Sequence, residues 1–269
     1  MKIEELHDKL FSMWCMFDTL CQQNNITYFF DSGCLLGAVR ERDFIPWDDD
    51  IDIAILREDY IRLKHILKEN LKPQYKLIEP DDYAPYFYDF IPRVIDTTVP
   101  LRNETQEDKA YKNYQNRLSI DFIILDAVPE AKWRQSLIKL KCKFIYGLAR
   151  SKRFADQNGK LSFPEKCLAK LLNGLGRFLK LKRIIKMYEH NTTRYAGMET
   201  SYIIRSNSIL YFIDVYKKSD YESIVHLPFH GSLVPAPTGY DAILTKLYGD
   251  YMIPKKDYKG FQTHAETTD

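Results

Sequence analysis

Four aspartates stand within five consecutive positions of this sequence: Asp48, Asp49, Asp50 and Asp52. Isoleucines flank the last two, so this part of the cluster is expected to lie beside a buried strand. Carboxylates held close together in apolar surroundings repel one another, and this raises their pKa values unless a cation neutralises them. The cluster therefore predicts a cation-binding site, and Mg2+ is the expected cation.

The run from Asp50 to Leu56 has a period of two at its start, which predicts a strand. In such a strand Asp50 and Asp52 project from one face, with Cα atoms about 6.5 to 7 Å apart. Two carboxylates at this spacing can share one or two hard cations through their oxygens. Asp49 is expected to face away from Asp50 and need not be a ligand.

A single carboxylate, Asp121, lies within the mostly apolar run 118–125, which predicts another strand. A lone buried aspartate costs several kcal/mol unless it is paired or binds a metal. A salt bridge to an arginine such as Arg93 or Arg117 is the structural alternative. Because two further aspartates are already expected in one cluster, we favour a role for Asp121 as the third metal ligand.

The turn Asp31-Ser32-Gly33 separates a predicted strand at Ile26–Phe30 from helical spacing at Leu35–Glu41. Ser32 or Gly33 is expected to cap this helix, with free backbone N–H groups pointing into the turn. A helix N-terminus at a strand end is a suitable phosphate site. The turn therefore predicts a place for a phosphate close to the aspartates.

Apolar and β-branched patterns predict the elements that hold these residues. Further helices are expected over about 3–23, 58–70 and 240–248, and further strands over 75–78 and 87–95. The polar residues 101–116 predict a mobile connection or lid.

Composition limits the protein class. With 269 residues, 45% hydrophobic and 28% charged, the chain is expected to be soluble and globular, with one large domain or two small ones. No stretch approaches the ~18 apolar residues of a membrane span, and the N-terminus lacks the apolar run of a signal peptide. The five cysteines are odd in number and unpaired in spacing, which predicts reduced thiols. A cytoplasmic protein is expected.

Positive charge is concentrated in one segment. Residues 131–186 hold sixteen Lys or Arg against two acids, a net charge of +14, whereas the rest of the chain carries −12. Apolar residues recur at helical spacing among these bases, which predicts basic amphipathic helices. A solvated helical face is the simpler interpretation, and contact with an anionic membrane or a polyanion is the alternative. Nucleic acid is not expected, because no binding motif or stacking platform is recognisable.

Two levels of resemblance follow from these motifs. Ser-Gly at a strand-to-helix turn, Asp-x-Asp on the next strand and a third Asp on a later strand resemble the nucleotidyltransferase fold, in which three carboxylates hold two Mg2+ ions and the turn holds the donor phosphates. The longer signature in Ser32–Arg40 and Phe44–Ile53 resembles that of the LicD family. Ile120-Asp121-Phe122 and parts of the C-terminal run 227–264 extend this resemblance.

The resemblance implies an α/β, or α+β, fold in which flanking helices surround a mixed sheet core; the charge pattern adds a basic helical segment, in which no family pattern is recognisable. Together they divide the chain into a catalytic core at 1–130, a basic segment at 131–200 and a C-terminal part at 201–269 that completes the catalytic domain.

The family resemblance also implies an activity. A CDP-alcohol-dependent phosphotransferase would move phosphocholine from CDP-choline to a sugar hydroxyl of a cell-surface glycan precursor, such as teichoic acid, capsule or lipopolysaccharide, and release CMP. Asp50, Asp52 and Asp121 would ligate Mg2+, with Mn2+ as the alternative, and Asp48 would be a further ligand or the general base. The residues expected to bind substrate are Ser32, Gly33, Arg40, Arg93 and His264. Structural pairing with local acids is the alternative for Arg40 and Arg93, and a tail histidine without a role is the alternative for His264.

Choline would need an aromatic cage, which the cluster of Tyr and Phe in 83–90 could supply. Transfer of ribitol- or glycerol-phosphate from a CDP-linked donor needs the same carboxylates and no cage. A non-catalytic scaffold of glycan synthesis is the alternative from another class. In the enzymatic case, the basic segment would hold the protein at the inner membrane face, near a lipid-linked or polymeric glycan acceptor.

Overall fold

The computed structural model describes residues 2–153, 162–209 and 213–254. Its contacts divide the chain into two compact units. The first unit contains Met1–Ile78, Pro92–Leu125 and the chain from Tyr216 onward, and the second contains Glu79–Ile91 and Asp126–Val215. The division predicted from the sequence, at 130 and 200, stays a prediction about functional parts.

The helices of the described residues agree with most of the expected positions. They are α1 (Ile3–Gln23), α2 (Ser32–Arg40), α3 (Arg57–Asn70), α4 (Gln106–Tyr111), α5 (Lys132–Arg150), α6 (Phe163–Arg177), α7 (Leu181–Thr192) and α8 (Tyr240–Tyr248). Helix α2 begins earlier than expected, at Ser32, and Asp31 occupies the N-cap. The prediction that Ser32 or Gly33 caps this helix is therefore wrong. None of the described helices combines the length and the apolar character needed to cross a membrane.

The strands are β1 (Phe29–Phe30), β2 (Ile51–Leu56), β3 (Tyr75–Ile78), β4 (Arg93–Asp96), β5 (Ser119–Val128), β6 (Tyr202–Arg205), β7 (Val215–Lys217), β8 (Ile224–Phe229) and β9 (Ser232–Pro237). Two of them are shorter than expected. Strand β1 has two residues, and β4 begins only after Pro92. The reason for the second difference is that proline has no N–H to donate to a ladder.

The first unit is built on a mixed sheet in the strand order β1-β2-β5-β4-β3. Strands β2 and β5 are parallel, and the other neighbours in this order are antiparallel. Strand β5 is buried along nearly its whole length, which explains why its sequence is mostly apolar rather than alternating. These features confirm the expected mixed sheet with flanking helices.

The core of the first unit lies on one face of β5. Phe122 is fully buried, and its ring centroid lies 5.7 Å from that of Phe17 on α1 and 5.8 Å from that of Tyr60 on α3. Successive side chains of a strand point to opposite faces, so the neighbouring Asp121 points away from this core. The core packing therefore determines the face on which the carboxylate stands.

The second unit has its own apolar core, made by helices α5, α6 and α7. Its buried members include Ile138, Cys142, Ile145, Leu172, Leu181, Ile184 and Tyr188. Phe90 stacks on Tyr188 with ring centroids 4.0 Å apart and an interplanar angle of 8°. The short segment 79–91 thus belongs to this helical core, although it precedes β4 in the chain.

Candidate functional site

Two of the predicted metal ligands lie side by side on neighbouring strands. Asp52 of β2 is the register partner of Asp121 of β5, and Arg93 of β4 is the partner of Asp121 on the other side. Residues paired in this way across a sheet point to the same face. The sheet therefore presents a row of carboxylate, carboxylate and guanidinium.

The Arg93 guanidinium makes a two-atom contact with Asp121. Arg93 donates from Nε to Oδ1 at 3.0 Å and from Nη2 to Oδ2 at 2.8 Å, and both side chains are buried. The salt bridge considered as the structural alternative for Asp121 is thus present, with Arg93 rather than Arg117. Removing one partner of such a buried pair would leave an uncompensated charge, which costs about 3–5 kcal/mol.

A shallow pocket opens beside this pair. Its lining consists of Asp49, Asp50, Arg93, Leu101, Gln115, Ser119 and Asp121. Asp49 therefore contributes to the pocket, and the expectation that it turns away is wrong. The reason is that β2 begins at Ile51, so the alternation of a strand does not extend to Asp49 and Asp50.

The pKa values of Asp48 and Asp50 are raised, as the sequence predicts for crowded carboxylates. Burial, and then the neighbouring charge of Asp49, raise the pKa of Asp48 to about 7. Burial also raises the pKa of Asp50 well above its usual value, and the charges of Asp52, Asp48, Asp121 and Asp49 add to this shift. The carboxylates are thus close enough to repel one another.

These residues fit a hard cation in type and charge. The negative charges of Asp52 and Asp121 act on the pKa of Asp50, so the three carboxylates lie near one another. Carboxylate oxygens are ligands that Mg2+ prefers. As placed, however, no group of three or more His, Cys, Asp or Glu among residues 2–153, 162–209 and 213–254 is arranged to hold a metal ion. In this structure Arg93 neutralises Asp121. The metal assignment stays a prediction.

The predicted phosphate turn lies against the aspartate cluster. Ser32 is buried and has a positive φ of 47°, which is uncommon for a residue with a side chain. A Cβ atom on Gly33 would overlap Oδ2 of Asp48 and would stand 3.2 Å from its Cγ. The start of α2 is therefore in direct contact with a carboxylate of the cluster, and glycine is the residue that permits this approach.

The structure describes one of the two remaining predicted substrate-binding residues, Arg40, but not the other, His264. Arg40 donates from Nε to Glu41 at 2.6 Å and from Nη1 to the backbone oxygen of Tyr251 at 3.2 Å, so its observed contacts are with protein groups. His264 lies outside the described residues. The substrate-binding roles of both residues stay predictions.

Sequence reasoning missed the part of the pocket that comes from residues 101–119. This segment contains α4, whose capping box is formed by Thr105 and Asp108. Arg102 makes two contacts with the Asp108 carboxylate, at 2.6 and 2.8 Å. Polar residues of this segment thus bond to one another, and Leu101 and Gln115 of the same segment line the pocket. Mobility of the segment stays a prediction. The capping pattern Thr-x-x-Asp is the signal that predicts an ordered segment.

The aromatic cluster at 83–90 does not form an open cage. Tyr83, Phe87, Tyr88 and Phe90 are all buried in the second unit. The guanidinium carbon of Arg153 lies 3.7 Å from the Tyr88 ring centroid, so a cation of the protein already covers this ring. The cluster is core packing, which removes the observation that favoured choline on structural grounds.

Comparison with known proteins identifies relatives. A family described as LicD/FKTN/FKRP, nucleotidyltransferase domain, matches residues 25–88, which include the turn and the aspartate cluster. The chain is 25% identical over 257 residues to the lipopolysaccharide cholinephosphotransferase LicD of Haemophilus influenzae, covering 90% of this chain and 89% of that protein. It is 54% identical over 50 residues to the uncharacterized protein RP689 of Rickettsia prowazekii, which is 19% of each chain.

A shorter match involves a transferase of another phospho-alcohol. The human ribitol 5-phosphate transferase FKRP is 50% identical over 34 residues, which is 13% of this chain and 7% of that protein. The matches and the row of aspartates beside a strand-to-helix turn lead to one conclusion: residues 25–88 of this chain match the nucleotidyltransferase domain of the LicD/FKTN/FKRP family, and most of the chain is similar to one LicD cholinephosphotransferase.

Proposed function

We propose that this LicD-family transferase moves phosphocholine from CDP-choline to a sugar hydroxyl of a cell-surface glycan precursor and releases CMP. The observation that carries the proposal is the row of Asp52 and Asp121 on adjacent parallel strands, with Asp50 and the Ser32-Gly33 turn beside it. Similarity to a lipopolysaccharide cholinephosphotransferase along most of the chain supports the choice of donor and acceptor.

In this proposal the acceptor hydroxyl oxygen attacks the donor phosphorus that is distal to cytidine. A new P–O bond forms to the sugar, the P–O bond to CMP breaks, and the hydroxyl proton passes to a base. Asp48 is the proposed base, because its carboxylate lies directly against Gly33 at the proposed phosphate site, within reach of an acceptor bound there. Ser32 and Gly33 would bind the donor phosphates at the start of α2.

Asp50, Asp52 and Asp121 would hold Mg2+, with Mn2+ as the alternative. When bound, the cation neutralises charge that develops on the transferring phosphoryl oxygens. Arg93, already beside Asp121, would add positive charge at the same pocket. Arg40 and His264 are proposed contacts of donor or acceptor.

Release of CMP from CDP-choline, with a glycan acceptor and Mg2+, tests this proposal. Asp50→Asn and Asp121→Asn are each expected to lower the rate about a hundredfold or more, since each loss of about 1.4 kcal/mol costs a factor of ten. Asp81→Asn is the matched control, because Asp81 is exposed and lies in the other unit. An unchanged rate in both site variants would show that the metal assignment is wrong.

Transfer of ribitol- or glycerol-phosphate is the second candidate. Two observations favour it: the aromatic cluster is buried, and a ribitol 5-phosphate transferase shares 50% identity over 34 residues. Parallel assays of CMP release from CDP-choline, CDP-ribitol and CDP-glycerol discriminate the donors. The donor with the highest kcat/KM identifies the alcohol. No release from any of them, together with no Mg2+ binding by calorimetry, would favour the non-catalytic scaffold.

A further inference from the structure

Helices α5 and α6 of the second unit carry large apolar side chains on their outer surfaces. On α5 these are Trp133, Leu137, Leu140 and Phe144, with exposed fractions of 65%, 41%, 63% and 45%. On α6 and directly after it they are Leu168, Leu171, Leu175 and Phe178, with exposed fractions of 55%, 60%, 49% and 90%. The spacing of three and four residues places the members that lie within each helix on one face of that helix. We call these two sets the outer stripes.

The outer stripes are distinct from the faces that build the core. Helix α5 buries Ile138, Cys142 and Ile145, and α6 buries Leu172. Each helix thus has an inner apolar face, which the core uses, and an outer one, which it does not. A helix on the surface of a soluble domain needs only one apolar face. Exposed apolar residues repeated in this way indicate an interaction surface.

The two helices form a close pair. A Cβ atom on Gly147 of α5 would overlap Leu172 of α6, and a Cβ atom on Gly176 of α6 would overlap the backbone oxygen of Leu148. Glycines at both contacts therefore let the helix backbones approach each other. The outer stripes are consequently presented by a packed helix pair rather than by a loose single helix.

Charge identifies the partner. The segment 131–186, which contains both helices, carries sixteen Lys or Arg and two acids. On α5, Lys141 and Lys143 lie on either side of the outer stripe by helical geometry, at one residue from Leu140 and Phe144. An apolar stripe bordered by cations is typical of helices that lie in the interface of an anionic membrane.

We propose that the outer stripes form a docking surface for a membrane of anionic phospholipids. The apolar side chains enter the boundary between headgroups and acyl chains, and the surrounding Lys and Arg contact lipid phosphates. A second copy of this chain fits less well, because two segments of charge +14 would repel each other. A phosphate-rich polymer fits less well too, because it offers no apolar region for eight large side chains.

Membrane docking extends the proposed function. It rests on that function in one respect only: a lipid-linked acceptor would explain why the enzyme needs a membrane. Vesicle binding requires neither donor nor acceptor. The docking surface and the transferase assignment can therefore fail independently of each other.

Co-sedimentation of the full chain with lipid vesicles tests the proposal. We expect binding to vesicles of phosphatidylcholine mixed with phosphatidylglycerol and much weaker binding to phosphatidylcholine alone. Replacing two exposed residues of the stripe, Leu140→Ser with Phe144→Ser, should weaken binding about tenfold or more. Leu233→Ser is the matched control, since Leu233 is 58% exposed and lies on β9 of the first unit, and it should bind as the unmodified chain does.

Tryptophan emission locates the inserted residue. Trp133 is 65% exposed, so its emission should shift to the blue when mixed vesicles are added. Trp133→Phe keeps the apolar character and should still sediment with the vesicles, but it should lose the shift. Three results would overturn the proposal: no binding to mixed vesicles, equal binding by the double serine variant, or a concentration-dependent dimer that this variant abolishes.

Discussion

At the scale of single residues, the pocket concentrates negative charge that the fold only partly neutralises. Arg93 neutralises Asp121, whereas burial and mutual repulsion raise the pKa values of Asp48 and Asp50. A fold selected for stability alone would not keep these carboxylates together, because each ionised member costs free energy. The sequence predicted this conflict from residue types and offered Arg93 or Arg117 as an ion-pair partner of Asp121, and the register of β4 against β5 selects Arg93.

A prediction at this scale concerns Gly33. We expect Gly33→Ala to lower the transferase rate about tenfold or more, because the new Cβ atom would displace the Asp48 carboxylate. Overpacking of this kind costs about 1–3 kcal/mol. CMP release and thermal unfolding, measured side by side, separate an effect on the site from a loss of fold.

Gly174→Ala is the matched control for this variant. Gly174 lies in helix α6, and a Cβ atom there meets nothing within 4 Å. Because alanine favours a helix over glycine by about 1 kcal/mol, this control should keep full activity and be as stable or slightly more stable. If Gly33→Ala were equally active, close contact between the turn and Asp48 would have no role in the reaction.

At the scale of secondary-structure elements, local patterns predicted most elements but not their pairing. The apolar spacing of α1 and α8 agrees with the observed bounds, because an amphipathic period is a local property of the sequence. The register that aligns Asp52 with Asp121 depends on two strands far apart in the chain, so no local pattern encodes it. The start of β2 after Asp50 likewise depends on its partners in the sheet.

The turn of the β8–β9 hairpin is attached to neighbouring parts of the chain through the side chain of His230. Its turn contains His230 and Gly231, with φ angles of 47° and 74°. The His230 ring contacts Asp43 through Nδ1 at 2.8 Å and Asp8 on α1 through Nε2 at 3.0 Å. Both ring nitrogens can donate only when the imidazole is protonated. Burial lowers the pKa of His230, but the bonds and charges of Asp43 and Asp8 outweigh it, so the pKa is raised.

This geometry predicts a pH-dependent contribution to stability. A histidine with a raised pKa in the folded state stabilises the fold fully below about 6.5, and this stabilisation is lost as the pH rises through the folded-state pKa. His230→Asn keeps a residue that tolerates a positive φ but removes the charge. Below pH about 6.5 the variant should unfold about 2–4 °C earlier, since a solvent-accessible ion pair contributes at most about 1 kcal/mol.

Thermal unfolding across the pH range measures this difference. The gap between the unmodified chain and His230→Asn should be largest in acid and should shrink as the pH rises. His226→Asn is the matched control, because His226 is exposed on the same hairpin, and it should give no such trend. A gap that stayed constant with pH would mean that the charge of His230 does not attach the hairpin.

At the scale of the whole molecule, the boundaries of the basic segment differ from those of the second compact unit. The basic segment 131–186 was recognisable from composition, because charge counts need no structure. The assignment of Glu79–Ile91 to the helical core was not, since it depends on the burial of Phe87 and Phe90 among helices that follow much later in the chain. Tertiary packing also explains why these rings are core residues and do not form the choline cage that was expected from the sequence.

Because the proposed cation site and the proposed lipid surface belong to different compact units, two ligands should protect two different sets of backbone amides. We expect Mg2+ with CMP to slow hydrogen exchange at residues 48–56 and 119–125, since the cation would remove the repulsion among the carboxylates. Mixed anionic vesicles should instead slow exchange in α5 and α6. Exchange measured by mass spectrometry on the full chain resolves both effects in one experiment.

Two variants make this experiment decisive. Asp50→Asn should abolish the protection by Mg2+ with CMP and keep the protection by vesicles, whereas Leu140→Ser with Phe144→Ser should do the reverse. Asp50→Asn should also be at least as stable as the unmodified chain without Mg2+, because it removes a carboxylate whose ionised form burial and four neighbouring charges disfavour. Protection of residues 48–56 that survived in Asp50→Asn would mean that the ligand binds elsewhere, and the aspartate cluster would then require another explanation.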